Sequence, residues 1–181
     1  MKKSFVPLVC LGLWLLPSAL SQAASDYLLV LDGVEGESVD PKYRGAIEVQ
    51  SFSWGASNPS TVGGGGTGKV QFQDFHFTKS LDKASPLLAL RCASGEHIKS
   101  ATLIVRRTTA TGEPLVYYTI TLTDLLVSSV SSGSGAGSSG PAETLSLNFS
   151  KIEWSYVPVS ADGLPQAPVQ AGWDLATNTR L

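Results

Sequence analysis

The closest match to a ligand-binding motif is a glycine-rich stretch. Gly63–Lys69 reads GGGGTGK and fits the glycine and lysine positions of a phosphate-binding P-loop. A P-loop continues with Ser or Thr, which ligates magnesium, and it follows a strand and opens a helix. Here Val70 comes next, and the motif precedes a predicted strand. These departures argue against a nucleotide site.

Asp74 and His76 are the best candidates for metal ligands. They lie two residues apart and would share one face of a regular strand. A zinc site needs at least three protein ligands, and the only other histidine, His97, follows a predicted helix. We therefore predict no metal site and interpret His76 as a hydrogen-bonded strand residue.

Nucleophilic catalysis has little support in the sequence. No G-x-S-x-G elbow occurs, and two histidines leave few ways to build a nucleophile–base pair. The sequence predicts a protein that is not an enzyme, has no catalytic residues and needs no cofactor. A secreted hydrolase is the most distant alternative.

The first 23 residues have the composition of a secretory leader. Lys2 and Lys3 precede the apolar run Phe5–Leu16, and Ser21-Gln22-Ala23 places small residues where a signal peptidase cleaves. The run is too short for a transmembrane helix. We predict a signal peptide over residues 1–23 and a single domain over 24–181, secreted or periplasmic and free of the membrane after cleavage.

Charge and cysteine content narrow the possible partners. Without Lys2 and Lys3, 11 basic residues (13 − 2) face 15 acidic residues, a net charge of −4 (11 − 15), and no basic block occurs. This argues against nucleic-acid binding. The mature chain would keep one cysteine, Cys92, so no internal disulfide can form, and we expect a buried thiol.

Three strands show a shift in the phase of their apolar residues. In Val70–Lys83, Val70 and Phe72 alternate, and Phe75 and Phe77 then alternate one residue out of phase. The same shift occurs in two further strands. We predict a bulge, break or sharp bend at each of three positions: Gln50–Ser51, Gln73–Asp74 and Ser150–Lys151. A strand buried on both faces is the alternative for Val70–Lys83.

The remaining chain predicts about four more strands and one helix. Asp82 or Ser85 can cap the helix, Pro86 suits its first turn, and Gly95 suits its end. A buried stripe is expected from Leu87, Leu88, Leu90 and Cys92. Flexible connectors are expected at Gly55–Gly68 and Ser128–Gly140. The fold class is mainly β: a small β-barrel of curved antiparallel strands with one short flanking α-helix.

Six segments resemble the haemolysin-coregulated protein (Hcp) family of type VI secretion systems. They occur in the expected order and span essentially the whole mature chain. The segments are YLLVLDGVEGES (Tyr27–Ser38), IEVQSFSWGASN (Ile47–Asn58), GKVQFQDFHFTKSLDKASPLL (Gly68–Leu88), TLTDLLVSSV (Thr121–Val130), ETLSLNFSKIEWSYVP (Glu143–Pro158) and GWDLATN (Gly172–Asn178).

The resemblance implies an Hcp-like barrel that forms a homo-hexameric ring with other copies of the chain. Such rings stack into the inner tube of the secretion machine, and the lumen can carry small effector proteins. The implied partners are the chain itself, other type VI components and such effectors. The resemblance also implies subunit contacts in the long loop, at Gly55, Ser57, Asn58, Thr61, Gly63, Gly64, Gly65, Gly66 and Gly68.

The leader departs from the pattern of this family, whose members leave the cytoplasm through the machine itself. Met1–Ala23 would direct the chain to the periplasm or beyond. An alternative function follows: an exported Hcp-like protein that binds a protein or surface ligand outside the cytoplasm and is not part of a tube.

Overall fold

The structure, a computed structural model, describes residues 25–59, 69–109, 112–137, 140–160 and 163–181. The predicted leader lies outside these ranges. Within them the chain forms one helix, α1, and eleven strands, and none of the described helices is long and apolar enough to cross a membrane. The elements are β1 (Ser25–Leu31), β2 (Ile47–Val49), β3 (Ser51–Ser53), β4 (Ala56–Ser57), β5 (Gln71–Phe72), β6 (Phe75–Ser80), α1 (Ser85–Ser94), β7 (Ile98–Thr108), β8 (Pro114–Gly133), β9 (Ala142–Tyr156), β10 (Val169–Asp174) and β11 (Thr179–Arg180).

Nine strands form one antiparallel sheet that curls back on itself. The hydrogen-bonded path runs β2–β1–β7–β8–β9–β6–β3. Its two ends, β2 and β3, are separated by Gln50 alone, so the path returns to the segment where it began. Strands β10 and β11 extend the sheet from β9, while β4 and β5 form a separate ladder. The mainly β fold with one short helix is confirmed.

Two of the three predicted phase shifts coincide with breaks. At Gln50 the chain changes partner, from β1 to β6, and the Gln50 N–H donates to Thr78 O at 2.8 Å. At Gln73–Asp74 the chain leaves β5 and enters β6. Strand β6 buries alternate residues only, so the alternative of a strand buried on both faces is wrong.

At the third position, Ser150–Lys151, β9 continues without a break and without a shift of register against β8, so a bulge or break there is wrong and a sharp bend stays a prediction. Strands β8 and β9 change face together instead. Leu122 pairs with Ile152 and Leu125 pairs with Phe149, all four buried, without a shift of register. Between them Asp124 has a left-handed backbone (φ 50°), which allows the pair to rotate while its ladder continues.

The helix packs on the barrel through less of its apolar surface than predicted. Leu88 is buried and Cys92 is half-buried, but Leu87 and Leu90 are 45% and 61% exposed, so the predicted four-residue stripe is wrong. The N-cap is Ala84, whose N–H donates to Asp82 Oδ1 at 2.9 Å. Gly95 ends the helix in the left-handed conformation, as predicted.

An ion cluster lies beneath the start of α1. The fully buried Lys79 ammonium lies 2.7 Å from Asp82 Oδ1 and 2.8 Å from Glu143 Oε2. It also donates to Ser85 Oγ at 2.8 Å and to Ser80 O at 3.0 Å. The cluster therefore joins α1 to β6 and β9 through satisfied charges, which compensates for the few apolar residues that the helix buries.

One outer face of the barrel is apolar and covered by a loop. Leu28 of β1 and Ile104 of β7 form a small second core with Ala46, and Tyr43 and Val116 pack against it. Residues 36–46 lie over these residues. We call this segment the strap and the surface beneath it the strapped face. Backbone bonds such as Gly36 N–H to Gly45 O at 2.7 Å hold its two ends together.

Arg106 latches the strap to the sheet. Its guanidinium donates to Asp26 Oδ2 on β1 at 3.2 Å and also to Asp40 Oδ2 in the strap. The hydrogen bond from Arg106, with backbone bonds from Tyr43 and Lys42, lowers the pKa of the Asp40 carboxyl below its usual value although burial opposes the shift.

Strand β8 is longer than the sequence indicates. The predicted connector Ser128–Gly140 is wrong in its first part, because β8 continues to Gly133 and pairs with β9 as far as Ala142. Serine and glycine have low β-propensity in isolation, and the long partner strand overrides it here.

Candidate functional site: the loop hairpin and the hydroxyl face

The predicted contact loop begins as a short hairpin. Gly55, Ser57 and Asn58 lie within the described residues, while Thr61, Gly63, Gly64, Gly65, Gly66 and Gly68 lie outside them. Ala56 pairs with Phe72 and Ser57 with Gln71, so this part of the loop is a ladder that the sequence did not indicate. A Cβ at Gly55 would lie 2.8 Å from Gln73 Oε1, the end of a flexible side chain that can move aside, so this contact alone does not require glycine there.

Aromatic rings fix the hairpin to the end of the barrel. The Phe72 ring lies 6.1 Å from that of Phe149 and 6.3 Å from that of Trp154, between centroids. Trp54, just before the hairpin, lies 5.1 Å from Trp154. Because Ala56, Ser57 and Asn58 are exposed, the hairpin combines an anchored base with an accessible outer strand.

Within the part of the chain that the structure describes, the residues of the chemical motifs lie in separate places. Of the P-loop match, Lys69 lies within the described residues, and the chain continues through Val70 into strand β5, not into a helix. Asp74 accepts hydrogen bonds from Ser128 Oγ at 2.5 Å and Asn148 Nδ2 at 2.8 Å. Within the described ranges, no three His, Cys, Asp or Glu side chains are grouped to hold a metal ion.

The other histidine takes part in a bonded chain at the surface. His97 Nδ1 lies 2.8 Å from Asp124 Oδ1, and Ser150 Oγ donates to Asp124 Oδ2 at 2.8 Å. These two bonds, from His97 first and Ser150 second, lower the pKa of Asp124. The carboxylate lies between serine and imidazole, so the imidazole is not placed to take the serine proton.

A surface that the sequence did not indicate lies on the outer side of β3, β6, β9 and β8. Eight hydroxyl-bearing residues and one histidine point outward from these strands, which we call the hydroxyl face. No Lys, Arg, Asp or Glu is among them. The residues are Ser51, Ser53, His76, Thr78, Ser80, Ser129, Ser131, Thr144 and Ser146.

The register arranges these side chains in rows across the sheet. One row is Ser53, His76, Ser146 and Ser129, and the next is Ser51, Thr78, Thr144 and Ser131. Phe75, Phe77 and Lys79 alternate with them and point inward. The alternation along β6 indicates that one side of this strand is polar. The composition of Ser128–Gly140, however, predicts a connector where β8 continues.

Four of the eight hydroxyl groups bond to one another in pairs, Ser51 with Thr78 and Ser129 with Ser146. Ser51 Oγ lies 2.7 Å from Thr78 Oγ1, and Gln50 Nε2 donates to Ser80 Oγ at 2.8 Å. Ser146 Oγ lies 2.8 Å from Ser128 Oγ and 2.5 Å from Ser129 Oγ, because a register shift between Val127 and Ser129 brings both serines to one side. The face is therefore polar, with half of its hydroxyl groups bonded within it, and Ser146 among these is buried.

Known proteins match nearly the whole described chain. The family described as "Type VI secretion system effector, Hcp" matches residues 27–156. The Pseudomonas aeruginosa protein hcp1 is 41% identical over 162 residues, covering 87% of this chain and 99% of that relative. The crystal structure of Hcp1 from Salmonella typhimurium is similar, with a TM-score of 0.73, 38% identity and coverage of 88% and 100%. A structure described as a type six secretion system protein has a TM-score of 0.79, 33% identity and coverage of 87% and 100%.

Proposed function

This chain belongs to the Hcp family of type VI secretion proteins, which are tube proteins, and from that premise we propose that it forms six-membered rings in which the hydroxyl face lines the lumen. Rings of this kind stack into a tube that carries small effector proteins. The observation that carries the proposal is the hydroxyl face, since the nine residues that define it include no Lys, Arg, Asp or Glu and no large apolar side chain.

The chemistry of the hydroxyl face suits a channel wall. A passing protein is retained by apolar patches, fixed charges or unpaired hydrogen-bonding groups. The nine residues of the face lack apolar patches and fixed charges, and four of their eight hydroxyl groups bond to one another. It therefore offers few strong contacts to cargo.

The hairpin supports the proposed subunit contact. Its anchored base and exposed outer strand, Ala56–Ser57, offer a place for a neighbouring copy. A closed ring needs a heterologous contact, in which two different surfaces of the same chain meet. We propose that the loop at Gly55–Gly68 supplies one of them.

Sedimentation velocity tests the ring. The chain is purified as the cell exports it, and mass spectrometry determines its first residue. We expect hexamers, and we expect deletion of Thr61–Thr67 to weaken them while circular dichroism stays native. Deletion of Ser138 and Ser139, which lie between β8 and β9 in the sequence, is the control and should leave the hexamer intact. A monomer at high micromolar concentration with native circular dichroism would refute the ring.

Thiol labelling tests the channel wall. In a Cys92→Ala background, Ser131→Cys lies on the hydroxyl face and Val39→Cys on the strap, where Val39 is 80% exposed. Both should react with a small maleimide, but a maleimide on a large polymer should react slowly at position 131 in the assembled form and fast after dissociation. Equal rates at both positions in the assembled form would place the face elsewhere.

The leader sequence favours one second candidate. If residues 1–23 are removed on export, the domain of residues 24–181 reaches the periplasm or the medium and acts there as an Hcp-like binding protein. Mass spectrometry that finds Met1 on the functional protein would exclude cleavage and with it this candidate, whereas a first residue at Ala24 with a monomeric state would favour it.

A further inference from the structure

A groove lies between strand β2 and the end of β6. It has a volume of about 380 Å³, and it is lined by Glu48 and Gln50 from the first segment and by Ser80 and Leu81 from the second. It forms where the chain changes partner, since β2 pairs with β1 while β3, which follows Gln50, pairs with β6. Ser80 also belongs to the hydroxyl face, and Gln50 Nε2 donates to Ser80 Oγ at 2.8 Å. The groove therefore borders the hydroxyl face.

The groove carries carboxylates that its own lining does not balance. Glu37, Glu48 and Asp82 line it, and no described Lys or Arg does. Asp82 already has a cation in the buried cluster under α1. Glu37 Oε1 accepts a hydrogen bond from the Lys83 N–H at 3.0 Å, but the Lys83 ammonium pairs with Glu35. Among the described residues, neither Glu37 nor Glu48 forms an ion pair, so the groove keeps a negative charge that a cation from elsewhere can balance.

Lys69 is an exposed cation beside the hairpin. It is the only Lys or Arg between Arg44 and Lys79 in the sequence. It precedes strand β5, whose Phe72 ring lies 6.3 Å from that of Trp154, so it lies next to the anchored base of the hairpin. Within the described part of the chain Lys69 forms no ion pair. The hairpin therefore presents one unpaired cation beside the proposed contact loop.

We propose that the groove of one copy receives Lys69 of the neighbouring copy in the ring, with Glu48 as its ion-pair partner. The inference rests on the proposed ring and names the second of the two surfaces that a heterologous contact needs. If the hydroxyl face lines the lumen, neighbouring copies meet at its border, where the groove lies. Leu81, which is 53% exposed, gives the apolar stem of the lysine a surface to pack on. A cation and a carboxylate that lack partners within one chain thus become partners between two.

Exchange of the two charges tests this contact. Lys69→Glu and Glu48→Lys are made singly and together in the full chain, and sedimentation velocity at constant ionic strength measures the concentration at which half of the chain is hexameric. Each single reversal should raise this concentration at least about tenfold, because like charges then face each other across the contact. The double variant restores the ion pair in the opposite orientation and should assemble within about threefold of the wild type.

The control variant is Glu113→Lys. Glu113 is an exposed carboxylate just before β8 and does not line the groove. Glu113→Lys should leave assembly unchanged and should not rescue Lys69→Glu. Circular dichroism should be native for every variant, since all three side chains are exposed. Assembly that is unchanged in either single reversal, or rescue of Lys69→Glu by Glu113→Lys as well as by Glu48→Lys, overturns the inference.

The same measurements separate this inference from the ring proposal. Hexamers that persist in both single reversals would refute the contact and leave the ring. A wild-type protein that stays monomeric would refute both. Hexamers that each reversal weakens and the double variant restores would support both.

Discussion

The two outer faces of the barrel have been built in opposite ways. The strapped face carries Leu28 and Ile104, which need cover, and the strap provides it under the Arg106 latch. The hydroxyl face carries small hydroxyl residues and His76, and seven of these nine residues are exposed. A face with large apolar side chains needs a segment that shields them from water. A face without such side chains needs no shield, so it is free to meet a partner.

The largest predicted difference is between two neighbouring residues of β6, one that points inward and one on the hydroxyl face. Lys79→Ala should lower the free energy of unfolding by about 3–5 kcal/mol, because Glu143 would be left buried without its cation. Thr78→Val, one residue earlier on the hydroxyl face, should change it by less than about 0.5 kcal/mol. Urea unfolding measures both. A small effect at Lys79 would show that the cluster does not hold α1.

Substitutions in the strapped face should lower the free energy of unfolding more than substitutions in the hydroxyl face. Ile104→Ala should cost about 2–5 kcal/mol, because Ile104 is buried between the sheet and the strap. Thr144→Ala at a comparable position on the hydroxyl face should cost less than about 1 kcal/mol. Equal losses in urea unfolding would mean that the strap shields little apolar surface.

Loss of the bond between Arg106 and Asp40 should lower the free energy of unfolding by a smaller amount, and this amount should depend on pH. Asp40→Asn removes the carboxylate whose pKa is lowered by the bond from Arg106. A group with a lowered folded pKa stabilises the protein above its unfolded value, about 3.9, and loses this effect as pH falls through the folded value. We expect a loss of about 1–2 kcal/mol at pH 7 that fades below pH 4.

The variant Asp26→Asn is the control for Asp40→Asn in the same series of unfolding curves. Asp26 also bonds Arg106, but its side chain is 53% exposed, so Asp26→Asn should cost less than about 1 kcal/mol. An Asp40→Asn loss that is unchanged between pH 7 and pH 3 would show that charge is not its cause.

The sequence was a good guide to the class of fold because apolar periodicity follows burial directly. The alternation of Phe75 and Phe77 and the shift at Gln50 both appear in the structure. It could not indicate that Leu87 and Leu90 stay exposed, because a helical stripe does not reveal which side meets the barrel. The change of apolar phase near Ser150 can be recognised in the sequence, but the left-handed backbone of Asp124 on the neighbouring strand β8 cannot.

The candidate site was harder to predict than the fold. The hairpin at Ala56–Ser57 is held by Phe72 and Trp154, which lie far apart in sequence. The hydroxyl face depends on the register of four strands, and register is set by tertiary pairing rather than by local composition. Serines 128, 129 and 131 were therefore interpreted as a linker, although β8 places them beside Thr144 and Ser146.

The bonds between neighbouring hydroxyl groups have a kinetic consequence. Each 1.4 kcal/mol of affinity between a wall and a passing molecule lengthens its stay about tenfold when the rate of association is constant. Hydroxyl groups that already bond to a neighbouring side chain, such as those of Ser51 and Thr78, add little to the affinity for a passing molecule. If the hydroxyl face lines a channel, a molecule that passes along it would be held only briefly at each position, and its transit would be fast.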